Sequence, residues 1–268
     1  MEDIKYVKRI FDILDLFVTQ GSELGISQVA KQIGINKSTS SRIMATLETV
    51  DVLKKNPETQ KYRLNVKILE LAKVMLSSID LKSLAKPYLK ELNARTAELI
   101  QIHVLDGDRR LVLDWIDSTR PIRRVTDKVH MYGPLHAGAP GKLLLANLPD
   151  NKINEILERV GLPAYTEHTI TNKNELVQGL DLIRKKGVVF SMGEHREFMY
   201  TVSAPIRNYL GEVIAALSIS WLEMMNTPGM SDEYSALVKE YALKISYEMG
   251  FEVFGPSETI KVPMTQID

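Results

Sequence analysis

The segment from Ser27 to Leu53, SQVAKQIGINKSTSSRIMATLETVDVL, constrains what this chain can fold into more than any other stretch. Ser27 is a favourable helix N-cap residue, Val29, Ala30 and Ile33 follow on one helical face, and Gly34 stands where a helix end needs a positive φ. Asn36 is suited to cap a second helix, with Ile35 before it as a hydrophobic staple. Ile43, Leu47 and Val50 recur at spacings of four and three as that helix's buried stripe. Two helices separated by so short a turn predict a helix-turn-helix.

The opening turn of the second helix, Lys37-Ser38-Thr39-Ser40-Ser41-Arg42, places short hydroxyls between two cations. Free N–H groups and the helix dipole favour phosphate at such a tip, and Ser, Thr and Arg side chains reach base edges in a major groove. Taken alone, the segment also reads as an ordinary helical hairpin with a Ser-rich surface. The next stretch of chain favours nucleic acid: Leu53-Lys54-Lys55, the turn Asn56-Pro57-Glu58-Thr59-Gln60 and Lys61-Tyr62-Arg63-Leu64 have the pattern of a two-stranded β-wing. Ser27 to Asn65 holds seven Lys and Arg against three Asp and Glu, a local excess of four in a chain of zero net charge. That is an electrostatic footprint for duplex DNA. Ser27, Lys37, Ser38, Thr39, Ser40, Arg42, Lys55 and Lys61 are the candidate contacts.

At 268 residues the chain has room for one large or two ordinary domains, and 44% hydrophobic residues suits a globular protein. The absence of cysteine removes disulfides, thiolate metal sites and cysteine nucleophiles. No apolar run reaches membrane-spanning length, and MEDIKYVKRIF lacks the apolar core of a secretion signal. A cytoplasmic location without membrane association is the expectation.

A first helix is predicted over about Ile4 to Val18, with Val7, Ile10, Phe11, Leu14 and Phe17 as its apolar face and Gly21 ending it. After Asn65, the recurrence of Ile68, Leu69, Ala72, Leu76 and Ile79 predicts a linker helix that, with the N-terminal one, offers a dimer seam. Pro87 suits the first turn of a further helix whose Leu89 and Leu92 face inward. LIQIHVLDGDRRLVLDWID then reads as a hairpin turning at Asp106-Gly107-Asp108, with extended sequence at Ile122 to Thr126. A small-residue loop, Gly133 to Lys142, leads into the apolar helix LLLANL. Helices come next at Asn151–Val160 and Asn174–Lys186, then strands at Val188–Met192, Met199–Ile206 and Glu212–Ser220, and a last helix at Ser231–Met249. The whole is α+β: a winged helix-turn-helix over 1–65, a linker helix over 66–80 and a sheet domain over 81–268.

On these residues, the chain resembles the IclR family of bacterial transcriptional regulators over nearly its whole length. INKSTSSRIMATLETVDVL resembles the family's recognition helix, GPLHAGAPGKLLLANLP its loop and helix, and Gly187 to Glu194 with Val202 to Ile206 its signature segment. Asp51 and Asn65 replace usual glycines, and Thr201 and Arg207 depart from the strict signature. Membership implies a GAF-like α/β effector-binding domain and homodimers or homotetramers on palindromic double-stranded operators, most simply as a repressor. It also implies a small organic effector, a carboxylic acid or aromatic compound, held by backbone amides at Ala139 and Pro140 and by Ser191, Thr201, Ser218 and Ser220. Met199 joins these as part of an apolar wall with Met192, Leu135 and Trp221. Pro140 has no N–H, so it removes one anion donor from that loop.

The alternative is a metabolite-processing enzyme with a helical accessory domain, for which His136, Glu194, His195 and Arg196 supply acid/base candidates if they converge. Five scattered histidines offer no HExxH spacing, and Gly138 and Gly141 are not accompanied by GxxxxGK[ST]. No catalytic residue, metal or cofactor is therefore expected.

Overall fold

The computed structural model describes residues 2–78, 80–123 and 131–251. The chain falls into two compact units that divide just before Asp80. The first contains α1 (Glu2–Gln20), α2 (Ile26–Gln32), α3 (Lys37–Thr49), the hairpin β1 (Leu53–Lys55) and β2 (Tyr62–Leu64), and α4 (Val66–Ser78). Its core joins Ile13, Phe17, Leu24, Val29, Ile43, Met44, Leu47, Leu53 and Tyr62.

Several local expectations change under tertiary packing. The buried face of α1 is formed by Ile13 and Phe17 with Tyr6, Ile10, Leu14 and Leu16 against them, whereas Val7 and Phe11 are exposed. The helix carries two apolar stripes, and only contact with α2 and α3 selects one. Helix α2 begins at Ile26 after Gly25, with no side-chain cap, so Ser27 lies inside it. Its start is fixed by a β-bridge instead: Leu24 and Tyr62 exchange N–H···O bonds at 2.9 Å in both directions. Val50 is exposed and Met44 takes its place in the stripe. Asp51 adopts the left-handed backbone that glycine would favour (φ 60°), while Asn65 does not.

The second unit contains α5 (Leu81–Thr96), β3 (Leu99–Asp106), β4 (Arg109–Ile116), β5 (Tyr132–Gly133), α6 (Ala139–Ala146), α7 (Asp150–Val160), α8 (Lys173–Lys186), β6 (Val189–Met192), β7 (Met199–Arg207), β8 (Val213–Leu222) and α9 (Met230–Glu248). The six strands form one sheet in the order β5-β4-β3-β8-β7-β6, antiparallel throughout. Leu89 and Leu92 of α5 and the inner side of α9 cover one face through Ile100, Ile102, Val202, Ile219 and Trp221. Helices α6, α7 and α8 make a second core around Val189 and Ala216 on the other. The mixed helix and strand content is the α+β architecture expected.

Pro87 does not start its helix. Asp80 does, its carboxylate accepting the N–H groups of Lys82 and Ser83, and Pro87 lies in the interior. Pro87 and Ser83, four residues before it, are both exposed, so the helix takes the proline on its solvent side. Ile122 and Arg123 form no strand; Arg124 to Thr126, the Leu76 side chain and Ile79 lie outside the described residues. Among the described residues no helix is long and apolar enough to cross a membrane.

Candidate nucleic-acid interface and effector cleft

The tip of α3 is built from its cap outward. Asn36 Oδ1 accepts the Thr39 N–H at 2.7 Å and the Ser38 hydroxyl at 2.9 Å, so one side chain orders the whole first turn. Lys37, Ser38 and Arg42 are exposed there, and Thr39 is half-buried. Ser40 is fully buried and donates to the Ile26 carbonyl at 3.2 Å. Its hydroxyl joins α3 to α2 and is turned away from any DNA, which removes it from the contact set. Ser27 is exposed on α2. On the wing, Asn56 Oδ1 accepts the Glu58 N–H at 2.9 Å to close the turn, Lys61 is exposed, and Lys55 is half-buried with its ammonium 5.8 Å from the Tyr62 ring centroid. The pairing of β1 with β2 also sets exposed Lys54 directly opposite exposed Arg63, two residues that the sequence pattern does not single out. Like charges facing across a strand pair are unfavourable in isolation and are relieved by a polyanion.

In the second unit, strand alternation collects polar side chains on the face that α6 only partly covers. Register aligns Ser191, Thr201, Ser220 and Leu99 in one row across β6, β7, β8 and β3, and Ser203, Ser218 and Gln101 in the next. Thr201 and Ser220 share a hydrogen bond at 2.9 Å, and Ser203 and Ser218 one at 2.8 Å. A small cleft of about 80 Å³ opens over the first row. Ser191, Met199, Thr201, Ser220 and Pro140 line it, as does Gly138. Ala139 and Ser218 do not: both are fully buried, Ala139 in the α6 core and Ser218 against Ser203. Met192 is exposed, Leu135 belongs to the α6 core and Trp221 points to the opposite face of the sheet, so none of the three forms the expected wall.

The cleft's far end holds charge that the sequence pattern does not announce. Arg110 is only 8% exposed and bonds His103 Nδ1 and His195 Nδ1, each at 3.1 Å. Burial, with Arg196 close by, pulls its proton affinity down to about 10, and burial beside Arg110 holds His103 well below the usual imidazole range. Glu194 also lines the cleft, but its carboxylate is spent on the Gly138 N–H at 3.1 Å and on the buried Lys142 ammonium. His136 lies apart, donating to the Pro163 carbonyl at 3.0 Å, with Tyr165 between it and His195. Glu194, His195 and Arg196 thus share the cleft, and His136 does not join them. Sequence could have flagged Arg110 only through the alternation that also marks Val112.

Comparison with known proteins decides the family. Residues 73–247 match the model described as bacterial transcriptional regulator IclR C-terminal, and residues 7–57 match the IclR helix-turn-helix domain. The chain belongs to the IclR family. It is similar to the HTH-type transcriptional regulator XynR of Escherichia coli, with 30% identity over 94% of this chain and 99% of that one. Its fold is similar to that of the Agobacterium tumefaciens repressor BlcR (TM-score 0.76, 20% identity, 93% of this chain and 98% of that one). The effector unit is similar to the inducer-binding domain of Acinetobacter PobR, solved as a double mutant with 3-hydroxybenzoic acid (TM-score 0.58, 27% identity, 63% of this chain and 98% of that one). This IclR-family chain is a transcriptional regulator with a DNA-binding helix-turn-helix and a C-terminal domain for a small-molecule effector, and the enzymatic alternative falls.

Proposed function

We propose that this regulator is a cytoplasmic homodimer or homotetramer that reads a palindromic operator, most simply as a repressor. Residues 1–65 read DNA, 66–80 couple the two activities, and 81–268 bind a carboxylic acid or aromatic effector. The observation that carries the reading is the tip of α3, where Lys37, Ser38 and Arg42 stand exposed around a turn held by Asn36. Thr39, Ser27, Lys55, Lys61 and the opposed Lys54–Arg63 pair extend that surface. The row of Ser191, Thr201 and Ser220 beside Met199 and Pro140 supports the effector half, and the PobR domain's hydroxylated aromatic acid is a ligand of the same chemical kind. An effector that favours one arrangement of the oligomer changes half-site spacing and hence operator affinity, a coupling of about 1–3 kcal/mol.

The test begins with fragments selected from genomic DNA by the full-length protein. Lys37→Ala with Arg42→Ala is expected to weaken binding and, because each dimer loses four cations, to lower the slope of log affinity against log salt by about three to four. An unchanged slope removes the α3 tip from the interface. Thr201→Val and Ser220→Ala are expected to keep operator binding and lose the effector response; a retained response removes the cleft.

A further inference from the structure

Arg110 carries a positive charge into the interior, and among the described residues no carboxylate answers it: its two bonded partners are imidazole nitrogens. A guanidinium only donates, so His103 Nδ1 and His195 Nδ1 must accept, which places each ring's proton on Nε2. This end of the cleft is therefore made of donors. His103 Nε2 and Arg110 Nε are both buried without a partner, although both residues line the cleft. These two atoms are themselves sealed from the cleft, so they mark how costly this polar corner is to bury, while the rest of the Arg110 side chain borders the opening.

The small-residue loop is poorly placed to do the same work. The Gly138 N–H is occupied by the protein's own Glu194 carboxylate, Pro140 has no N–H, and Ala139 does not line the cleft. Lys142 is neutralised by the same glutamate. Arg110 is left as the buried charge awaiting compensation.

Resting on the proposed role of the cleft as the effector site, we infer that Arg110 is its specificity-determining residue. It receives the carboxylate of a singly charged organic acid while the hydroxyls of Ser191, Thr201 and Ser220 hold the polar remainder. Two coplanar carboxylate oxygens match the guanidinium fork; Arg196 also lines the cleft but is half-buried, so Arg110 is the cation that burial leaves most in need of a negative charge. A phosphate monoester brings about two negative charges and is the poorer fit. Gly133 is part of the device: a Cβ there would lie 2.6 Å from the Arg110 guanidinium carbon. The backbone of β5 thus packs directly on the cation and fixes its position.

The experiment is calorimetric and thermal-shift titration of the full-length protein with matched probes. Formate, glycerate, gluconate and 3-hydroxybenzoate are each paired with the corresponding primary amide, with glycerol phosphate as a further arm and sodium chloride to match ionic strength. At least one acid is expected to bind about tenfold to a hundredfold more tightly than its amide, the range for a charge-assisted hydrogen bond. Arg110→Met is expected to bring acid and amide within about threefold of each other. Gly133→Ala, which keeps the charge but displaces it, is expected to weaken the same preference should Arg110→Met fail to fold. Overturning results are no acid outperforming its amide, a preference for glycerol phosphate, or a preference that survives in the folded variants. If the preference survives at Arg110 while Thr201→Val and Ser220→Ala abolish binding, the anion position is wrong and the site right; if none of these matters, the site itself is wrong.

Discussion

At the scale of single residues, the second unit is governed by how it keeps ionisable groups in its interior. His103 is 1% exposed on β3 and is bonded to Arg110 of the adjacent strand β4, with His195 nearby. Burial and the neighbouring Arg110 cation lower its proton affinity, so below the free imidazole value of 6.5 the unfolded chain binds more protons than the folded one. The stability that comes from keeping the ring neutral is complete above that pH and is lost as pH falls through it, at up to about 1.4 kcal/mol per pH unit. Burial lowers His136 as well and adds to the same slope. Thermal melts between about pH 7.5 and 5.5 are therefore expected to drop on acidification, and His103→Gln to flatten the drop. Parallel curves for the two proteins would clear His103 of the effect. Gly141 shows the steric side of this crowding: a Cβ there would lie 2.4 Å from the Pro134 carbonyl oxygen, so the loop before α6 closes on backbone alone.

At the scale of elements, caps and registers decide what each segment presents. Asn36 both starts α3 and arranges the hydroxyl next to the exposed cations. Asn36→Ala is expected to cost about 1 kcal/mol of stability, with Asn36→Ser restoring most of it. Operator affinity measured by fluorescence anisotropy should follow the same order, because a frayed first turn no longer holds Lys37 and Ser38. Equal affinity in all three proteins would mean that the turn is ordered by DNA rather than by its cap. On the sheet, register draws the line between neighbours of the same type. Ser220 pairs with Thr201 at the cleft, while Ser218, two residues earlier on the same face, is sealed against Ser203.

At the scale of the whole molecule, the first unit leaves several large apolar side chains exposed. Phe11 on α1 is 61% exposed and Leu69 on α4 is 69% exposed, with Val7 and Leu71 also uncovered. Large uncovered apolar side chains mark association surfaces, and a second copy is the partner that the proposed palindromic operator requires. Leu69→Glu is expected to shift the protein toward monomer in sedimentation velocity and to weaken operator binding by lowering the concentration of paired half-site readers. An unchanged oligomer with full affinity would place the interface elsewhere. Much of this molecule was legible in the residues themselves: the Asn36 cap, the left-handed Gly34, the Asn56 turn of the wing and the strands β3, β7 and β8 arise from neighbours a few positions apart. The buried stripe of α1, the true start of α2, and the difference between Ser218 and Ser220 depended on segments far away in the chain. The charge at the end of the cleft shows the reason most directly. Arg110 has its meaning from His103, 7 residues before it, and His195, 85 residues after it, and only the closing of the sheet brings such groups out of water together.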